Sequence, residues 1–130
     1  MDSFTRASLK ILVVEDEPIL AENIAAYLSV LSGEVRVAGD GASAIAIIRG
    51  GNFAPDLLVL DYGLPDMSGF ELFDAIRQGG CRCRCVLITA HPGLNIKEDA
   101  CRHGIAHVLG KPFSLADLAA LTLRPVYGRR

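Results

Sequence analysis

DLLVLD, residues 56–61, holds four consecutive apolar residues between two aspartates. KILVVEDE, residues 10–17, has a related form, in which an apolar run leads into three acidic residues. A run that is apolar without alternation is typical of a parallel strand that is covered on both faces. The two stretches therefore predict two central strands of a parallel sheet, each followed by carboxylates at its carboxyl end.

Five strand-like runs alternate with five helical patterns along the chain. The predicted strands are Lys10–Val14, Val35–Ala38, Asp56–Leu60, Cys85–Thr89 and His107–Leu109. The predicted helices open at Pro18, Ala42, Ser68, Asn95 and Ser114, and they close near Gly33, Arg49, Gly79, Gly104 and Pro125. This alternation predicts an α/β fold of the (βα)5 type, doubly wound around a parallel five-stranded sheet.

The composition is that of one domain with its own core. The chain has 130 residues, of which 51% are hydrophobic, and we expect a single domain over residues 1–130 with a core at about 9–124. Its net charge of −2 offers no basic face for nucleic acid. We recognise no secretory signal and no apolar run near the ~20 residues that span a bilayer. We therefore expect a cytoplasmic protein with reduced cysteines that contacts neither nucleic acid nor a membrane.

The carboxyl ends of the predicted strands carry the candidate chemistry. If the strands lie in the order 2-1-3-4-5, the crevice where that order reverses falls at the ends of the first and third strands. Glu15, Asp16 and Asp61 follow those two strands, while Thr89 and Lys111 end the fourth and follow the fifth. Crowded carboxylates repel one another, and a hard divalent cation relieves the repulsion. A ligand set of oxygen atoms alone favours Mg²⁺.

Asp61 is the candidate nucleophile toward phosphorus. A carboxylate can form an aspartyl phosphate, and Mg²⁺ neutralises charge on the phosphoryl oxygens. Lys111 can supply a further positive charge and Thr89 a hydrogen bond. Alternatively, acidic residues at strand ends only cap helices or face solvent. The occurrence of all these residue types at one sheet edge favours the phosphoryl site.

Four segments together resemble the receiver domain of two-component response regulators. They are LVVEDEP at residues 12–18, LVLDYGLPDMSG at 58–69, LITA at 87–90 and GKPF at 110–113. The resemblance implies a flavodoxin-like fold. It also implies a signalling switch, rather than an enzyme, that catalyses its own phosphorylation from a phosphohistidine and its own dephosphorylation.

The resemblance assigns roles to the residues at the sheet edge. The implied metal ligands are Glu15, Asp16, Asp61 and the backbone carbonyl of Gly63. Asp61 would accept the phosphoryl group, which Thr89 and Lys111 would contact. The peptide between Lys111 and Pro112 is expected to be cis.

The resemblance also implies partners. A histidine kinase or a histidine phosphotransfer protein would donate the phosphoryl group after docking on the first helix. A downstream protein would bind the face formed by the fourth helix, fifth strand and fifth helix, and a second copy of the chain is a further candidate partner. Two contexts remain open, a receiver that acts alone and a receiver within a longer protein such as a hybrid kinase.

Three positions bear on how the switch works. Val108 stands where the family usually has an aromatic switch residue, so we expect signalling through backbone shifts of the loops after strands four and five. The alternative is that Val108 is an ordinary strand residue. Gly63 has no side chain to position or block water. His91 resembles a determinant of phosphate lifetime, and an ordinary turn explains it equally well.

Two other functions remain open at this point. A Mg²⁺-dependent phosphatase would use Asp61 as its nucleophile over many turnovers, but it would usually need a second carboxylate, and Gly63 occupies a natural place for one. A pseudo-receiver would bind partners without phosphate, and Val108 is the argument for it.

Three minor motifs have simpler explanations. GDGASA, residues 39–44, loosely matches a dinucleotide-binding fingerprint, and a tight turn with close helix packing explains it as well. CRCRC at 81–85 and CRHGIAH at 101–107 hold cysteine and histidine in metal-like spacings. Neither has a matching second ligand pair, so ordinary thiols and imidazoles are expected.

Overall fold

The computed structural model describes residues 9–122, in which strand and helix alternate five times. The strands are β1 (Lys10–Val14), β2 (Glu34–Ala38), β3 (Leu57–Asp61), β4 (Arg84–Thr89) and β5 (His107–Gly110). The helices are α1 (Pro18–Leu31), α2 (Gly41–Arg49), α3 (Gly69–Gln78), α4 (Leu94–Arg102) and α5 (Leu115–Thr122). Within this part of the chain, no helix is both long and apolar enough to cross a bilayer.

The five strands form one parallel sheet in the order β2-β1-β3-β4-β5, which confirms the predicted order and the flavodoxin-like fold. Val14 of β1 lies opposite Leu60 of β3, and Asp61 lies opposite Ile88 of β4. The strand order reverses between β1 and β3, so a crevice opens at their carboxyl ends. The residues that follow Val14 and Leu60 therefore face each other across it.

The sheet is buried on both faces, as its unbroken apolar runs predict. All five residues of β3 are buried, and so are the last four of β1. Successive strand residues point to opposite faces, which divides the core into two clusters. One cluster joins the sheet to α2, α3 and α4 through residues such as Leu12, Leu58, Ala44, Leu72 and Ala100. The other joins it to α1 and α5 through residues such as Ile11, Leu57, Ile24, Leu28 and Leu118.

Two predicted helix caps are confirmed. At the start of α3, the Ser68 hydroxyl accepts the N–H of Glu71 at 3.1 Å, and the Glu71 carboxylate accepts the N–H of Ser68 at 2.9 Å. This reciprocal capping box satisfies two N–H groups that the first helical turn leaves unpaired. At the start of α5, the Ser114 hydroxyl accepts the N–H of Asp117 at 2.9 Å.

Two predicted helix ends are displaced. Asn95 does not cap α4, because the helix already begins at Leu94 and the extended residue Gly93 takes the N-cap position without a side-chain bond. Helix α1 ends at Leu31, two residues before Gly33, and Ser32 adopts the extended conformation that stops it. The predicted end of α5 near Pro125 lies outside residues 9–122.

Gly69 packs tightly against the end of β3, so we expect a larger residue at this position to destabilise the fold. A Cβ atom at this position would lie 2.9 Å from the Leu87 side chain and 3.0 Å from the Cα atom of Tyr62. Since backbone atoms yield little, we expect Gly69→Ala to lower the free energy of unfolding by about 1–3 kcal/mol in urea denaturation. The matched control is Gly79→Ala at the other end of α3, where the nearest contact would be an ordinary 3.5 Å. An equal loss in both variants would contradict the packing argument.

Candidate functional site

Three of the predicted carboxylates converge at the crevice. One oxygen each of Glu15, Asp16 and Asp61 lies within 4.8 Å of the others, and within residues 9–122 no other group of three acidic, cysteine or histidine side chains meets this condition. Glu15 follows β1, and its N–H donates to Ala38 of β2 at 3.0 Å. Asp61 is the last residue of β3. Glu15 and Asp61 are only 2% and 5% exposed, whereas Asp16 faces solvent.

Lys111 reaches into the same crevice from the end of β5. Its Nζ atom lies 3.4 Å from Glu15 Oε1 and 3.5 Å from Asp61 Oδ1. The Lys111 N–H donates to the Thr89 carbonyl at 2.8 Å, which joins the ends of β4 and β5. The peptide between Lys111 and Pro112 is cis, as the resemblance implied.

Thr89 ends β4 at the same sheet edge and is buried. Its Oγ1 atom accepts the backbone N–H of His91 at 3.1 Å. This bond uses a lone pair of the hydroxyl and leaves the O–H to donate elsewhere. His91 itself is exposed, so the N–H is its contribution to the site in this conformation.

Burial sets the electrostatics of the crevice. Burial raises the pKa of Glu15, and the charge of Asp61 adds to the rise, while the Glu17 N–H at 3.1 Å and Lys111 offset only part of it. Burial likewise raises the pKa of Asp61 against the opposing effect of Lys111. Burial lowers the pKa of Lys111, but the charges of Asp61 and Glu15 outweigh it and leave that pKa above its ordinary value. A single ammonium group therefore balances the carboxylates incompletely.

The crevice has the properties that a magnesium ion requires. Glu15 Oε1 is fully buried and accepts no hydrogen bond from the described residues, although the Lys111 ammonium group is nearby. A buried acceptor without a hydrogen bond costs roughly 1–3 kcal/mol, and a cation offsets that cost. All three side chains offer oxygen, and the exposure of Asp16 leaves room for the water ligands that Mg²⁺ retains.

The β3–α3 loop (residues 62–68) brings Gly63 beside Asp61. The Gly63 backbone lies near the Asp61 carboxylate and acts to lower its pKa, and Gly63 forms an antiparallel bridge with Ser68 at the far end of the loop. Apart from the neighbouring residues of the chain, a Cβ atom at Gly63 would meet nothing within 4 Å, so this position has room for a side chain that glycine does not supply.

Val108 and the minor motifs have structural roles. Val108 lies opposite Leu87 of β4 and packs partly buried against the core, as an ordinary strand residue does. At Gly41, the space that a Cβ atom would fill is occupied by Met67, which accounts for the glycine by close packing. His103 pairs through Nδ1 with Asp74 at 2.9 Å.

Sequence reasoning missed the contact that Asp66 of the β3–α3 loop makes with α2. Asp66 accepts the backbone N–H groups of Gly41 and Ala42, each at 2.9 Å, and so connects the β3–α3 loop to α2. Its position within LPDMSG indicates only a turn. The contact partner lies about 25 residues away, and no local pattern predicts it.

The chain resembles known receivers in sequence and in structure. Residues 11–122 match the family model of the response regulator receiver domain. The probable transcriptional regulatory protein TcrX of Mycobacterium tuberculosis is 36% identical over 119 residues, which cover 92% of this chain and 50% of that protein. The chain spans half or less of the length of the first curated relatives it matches.

Two solved structures show the same architecture. The receiver domain of a putative Luxo repressor protein from Vibrio parahaemolyticus superposes with a TM-score of 0.80 at 28% identity, over 88% of this chain and 86% of that one. The chemotaxis protein CheY4 of Vibrio cholerae superposes with a TM-score of 0.82 at 27% identity, over 91% and 98%. With its five-stranded sheet and the acidic crevice where the strand order reverses, the chain belongs to the family of response regulator receiver domains of two-component signalling.

Proposed function

We propose that this domain is a phosphorylation-dependent switch in which Asp61 accepts a phosphoryl group from a phosphohistidine. The donor is a histidine kinase or a histidine phosphotransfer protein. The observation that carries the proposal is the convergence of Glu15, Asp16 and Asp61 within 4.8 Å, with Lys111 beside two of them.

Asp61 is favoured as the nucleophile by its surroundings. Its side chain is buried and lies 3.5 Å from the Lys111 ammonium group, whereas Asp16 is exposed. In the reaction, a bond forms between an Asp61 oxygen and phosphorus as the bond from phosphorus to the imidazole nitrogen breaks. That nitrogen keeps the electron pair as neutral imidazole. Glu15, Asp16 and Asp61 would hold Mg²⁺, which would supply the charge neutralisation that phosphoryl transfer needs.

Lys111 and Thr89 stabilise the phosphorylated state. The Lys111 ammonium group already points at Asp61 and pairs with an oxygen of the new phosphoryl group. The Thr89 O–H is free to donate to another of these oxygens, because its present bond with His91 uses only a lone pair. Since the His91 N–H follows the hydroxyl, a shift of Thr89 toward the phosphoryl group moves the β4–α4 loop.

This coupling offers a route to output that does not need an aromatic residue at position 108. Thr89 and Lys111 are joined by their 2.8 Å backbone bond, so the loops after β4 and β5 respond together. Phosphorylation then shifts the population toward a conformation that binds a downstream protein at the α4-β5-α5 face. Leu94 of α4 is 71% exposed there, and Ile19 at the start of α1 is 74% exposed on the donor side.

The same geometry argues against a turnover phosphatase. Such an enzyme needs a second carboxylate near the nucleophile to activate a leaving group or water. At the position natural for that carboxylate, the chain has Gly63, which supplies no side chain. Gly63 therefore cannot orient the water that removes the phosphoryl group, and the domain acts as a switch.

The first prediction concerns stoichiometric phosphorylation. With Mg²⁺ and a small acyl phosphate, intact-mass spectrometry should show one added phosphoryl group on the wild type and none on Asp61→Asn. Lys111→Met and Thr89→Val each remove one group that contacts the phosphoryl oxygens, and each should slow the reaction by about 100-fold. Thr89→Ser is the matched control, because it keeps the hydroxyl. Modification of Asp61→Asn, or rapid catalytic consumption of the acyl phosphate, would overturn the proposal.

The second prediction concerns charge and metal binding. The raised pKa values of Glu15 and Asp61 mean that the metal-free folded state binds more protons than the unfolded state once pH rises above about 4. The stability that the metal-free fold gains from binding these protons therefore falls as pH rises from the ordinary pKa of the two carboxyl groups to their raised pKa. Asp61→Asn removes one of the buried charges, so in chelator at neutral pH it should melt at a higher temperature than the wild type. The difference in melting temperature between the two proteins should narrow as pH falls toward 4.

The metal response supplies the control for this measurement. Mg²⁺ should raise the melting temperature of the wild type and leave that of Asp61→Asn nearly unchanged. Asp16→Asn should also lose the Mg²⁺ response but gain little in chelator, because Asp16 is exposed. If Asp61→Asn melted at a lower temperature than the wild type in chelator, the buried charge of Asp61 would not be destabilising the metal-free fold, contrary to the prediction.

A further inference from the structure

We propose that Asp66 is a positioning residue, which holds the β3–α3 loop and the Gly63 backbone in their metal-binding arrangement by binding the first turn of α2. This inference rests on the proposed function. The carboxylate is bidentate, since Oδ1 accepts the Gly41 N–H and Oδ2 accepts the Ala42 N–H, each at 2.9 Å. The two atoms of one side chain thus bridge the loop to a helix that contributes no residue to the crevice.

The first turn of α2 is a strong partner for a carboxylate. The first N–H groups of a helix have no acceptor within the helix, and the helix dipole favours negative charge there. The Asp40 side chain takes the Ser43 N–H at 2.7 Å, which leaves those of Gly41 and Ala42 to Asp66. These two hydrogen bonds also lower the pKa of Asp66, so the carboxylate stays ionised well below neutral pH.

Met67 packs against the same turn. A Cβ atom at Gly41 would lie 2.5 Å from the Met67 sulfur, so the glycine lets the Met67 side chain lie directly against the helix. Consecutive loop residues therefore provide a polar and an apolar contact to one turn of α2.

Other contacts of the loop lie at its base and at Leu64, which is buried in the core cluster. The Tyr62 N–H donates to the Ile88 carbonyl at 2.8 Å, and the Tyr62 carbonyl accepts the Gly69 N–H at 2.8 Å. Gly63 itself bridges to Ser68. Asp66 and Met67 attach the loop to α2 between these points, so loss of the Asp66 bonds removes the polar contact that holds the segment carrying Gly63 against α2. Groups that orient metal ligands typically change metal affinity by about 10–100-fold when they are removed.

The chain offers a matched pair of variants to test this. Asp66→Ala and Asp40→Ala each remove a carboxylate that caps the same turn of α2, but Asp66→Ala alone also releases the loop. We expect both to lose stability in chelator, and only Asp66→Ala to weaken Mg²⁺ binding in calorimetric titration, by about 10-fold. Its phosphorylation rate with a small acyl phosphate should recover at saturating Mg²⁺. Asp66→Asn keeps one acceptor oxygen and should restore most of the affinity.

A second perturbation approaches the contact from the helix. Gly41→Ala forces Met67 away from α2 and should also weaken Mg²⁺ binding, and its effect should not add fully to that of Asp66→Ala. If Asp66→Ala fails to fold, Asp66→Leu, which has no acceptor oxygen, and Gly41→Ala carry the comparison. Equal Mg²⁺ affinity in Asp40→Ala and the loop variants would overturn the role of Asp66 and leave the phosphoacceptor proposal intact. A wild type that binds no Mg²⁺ and takes no phosphoryl group would overturn both.

Discussion

The rest of the site depends on one constraint, which is that Glu15 and Asp61 are buried beside Asp16 and that, among residues 9–122, Lys111 is the cation paired with them. The carboxylates cannot move apart, because Glu15 and Asp61 leave neighbouring central strands at the same level of the register. Both strands are buried on both faces, so the sheet fixes the spacing of the charges. Neutralisation must therefore come from a cation or from the neighbouring strand ends.

A series of ring contacts connects the residue after Asp61 with the end of α4. Tyr62, next to Asp61, meets Phe70 of α3 edge to face, with ring centroids 5.2 Å apart. Phe70 stacks on His103 at the end of α4, with centroids 4.5 Å apart. The His103 carbonyl accepts a hydrogen bond from Arg77 of α3 at 2.7 Å. The end of α4 is thus packed against α3.

The sequence predicts most features whose cause is local or periodic. Unbroken apolar runs identify β1, β3 and β4, and the Ser68–Glu71 spacing identifies the start of α3. The convergence of the carboxylates follows once the strand order is known. What the sequence does not reveal is set by tertiary contact, as with Asp66, whose partners on α2 lie some 25 residues away. Asn95 fails as a cap for a related reason, since the extended Gly93 starts the helix first.

In the proposed reaction, the phosphoryl group brings further negative charge into a crevice where three carboxylates already exceed the single Lys111 ammonium group. The Lys111 ammonium group and the Thr89 hydroxyl are placed to bind the new oxygens, whereas Gly63 contributes no side chain. Lys111 and Thr89 are linked by a backbone hydrogen bond of 2.8 Å, and the Thr89 hydroxyl holds the His91 N–H. Any movement toward the phosphoryl group is therefore shared by the loops after β4 and β5. The charge imbalance that makes the site bind a cation is, on this reasoning, also what makes it respond to phosphorylation.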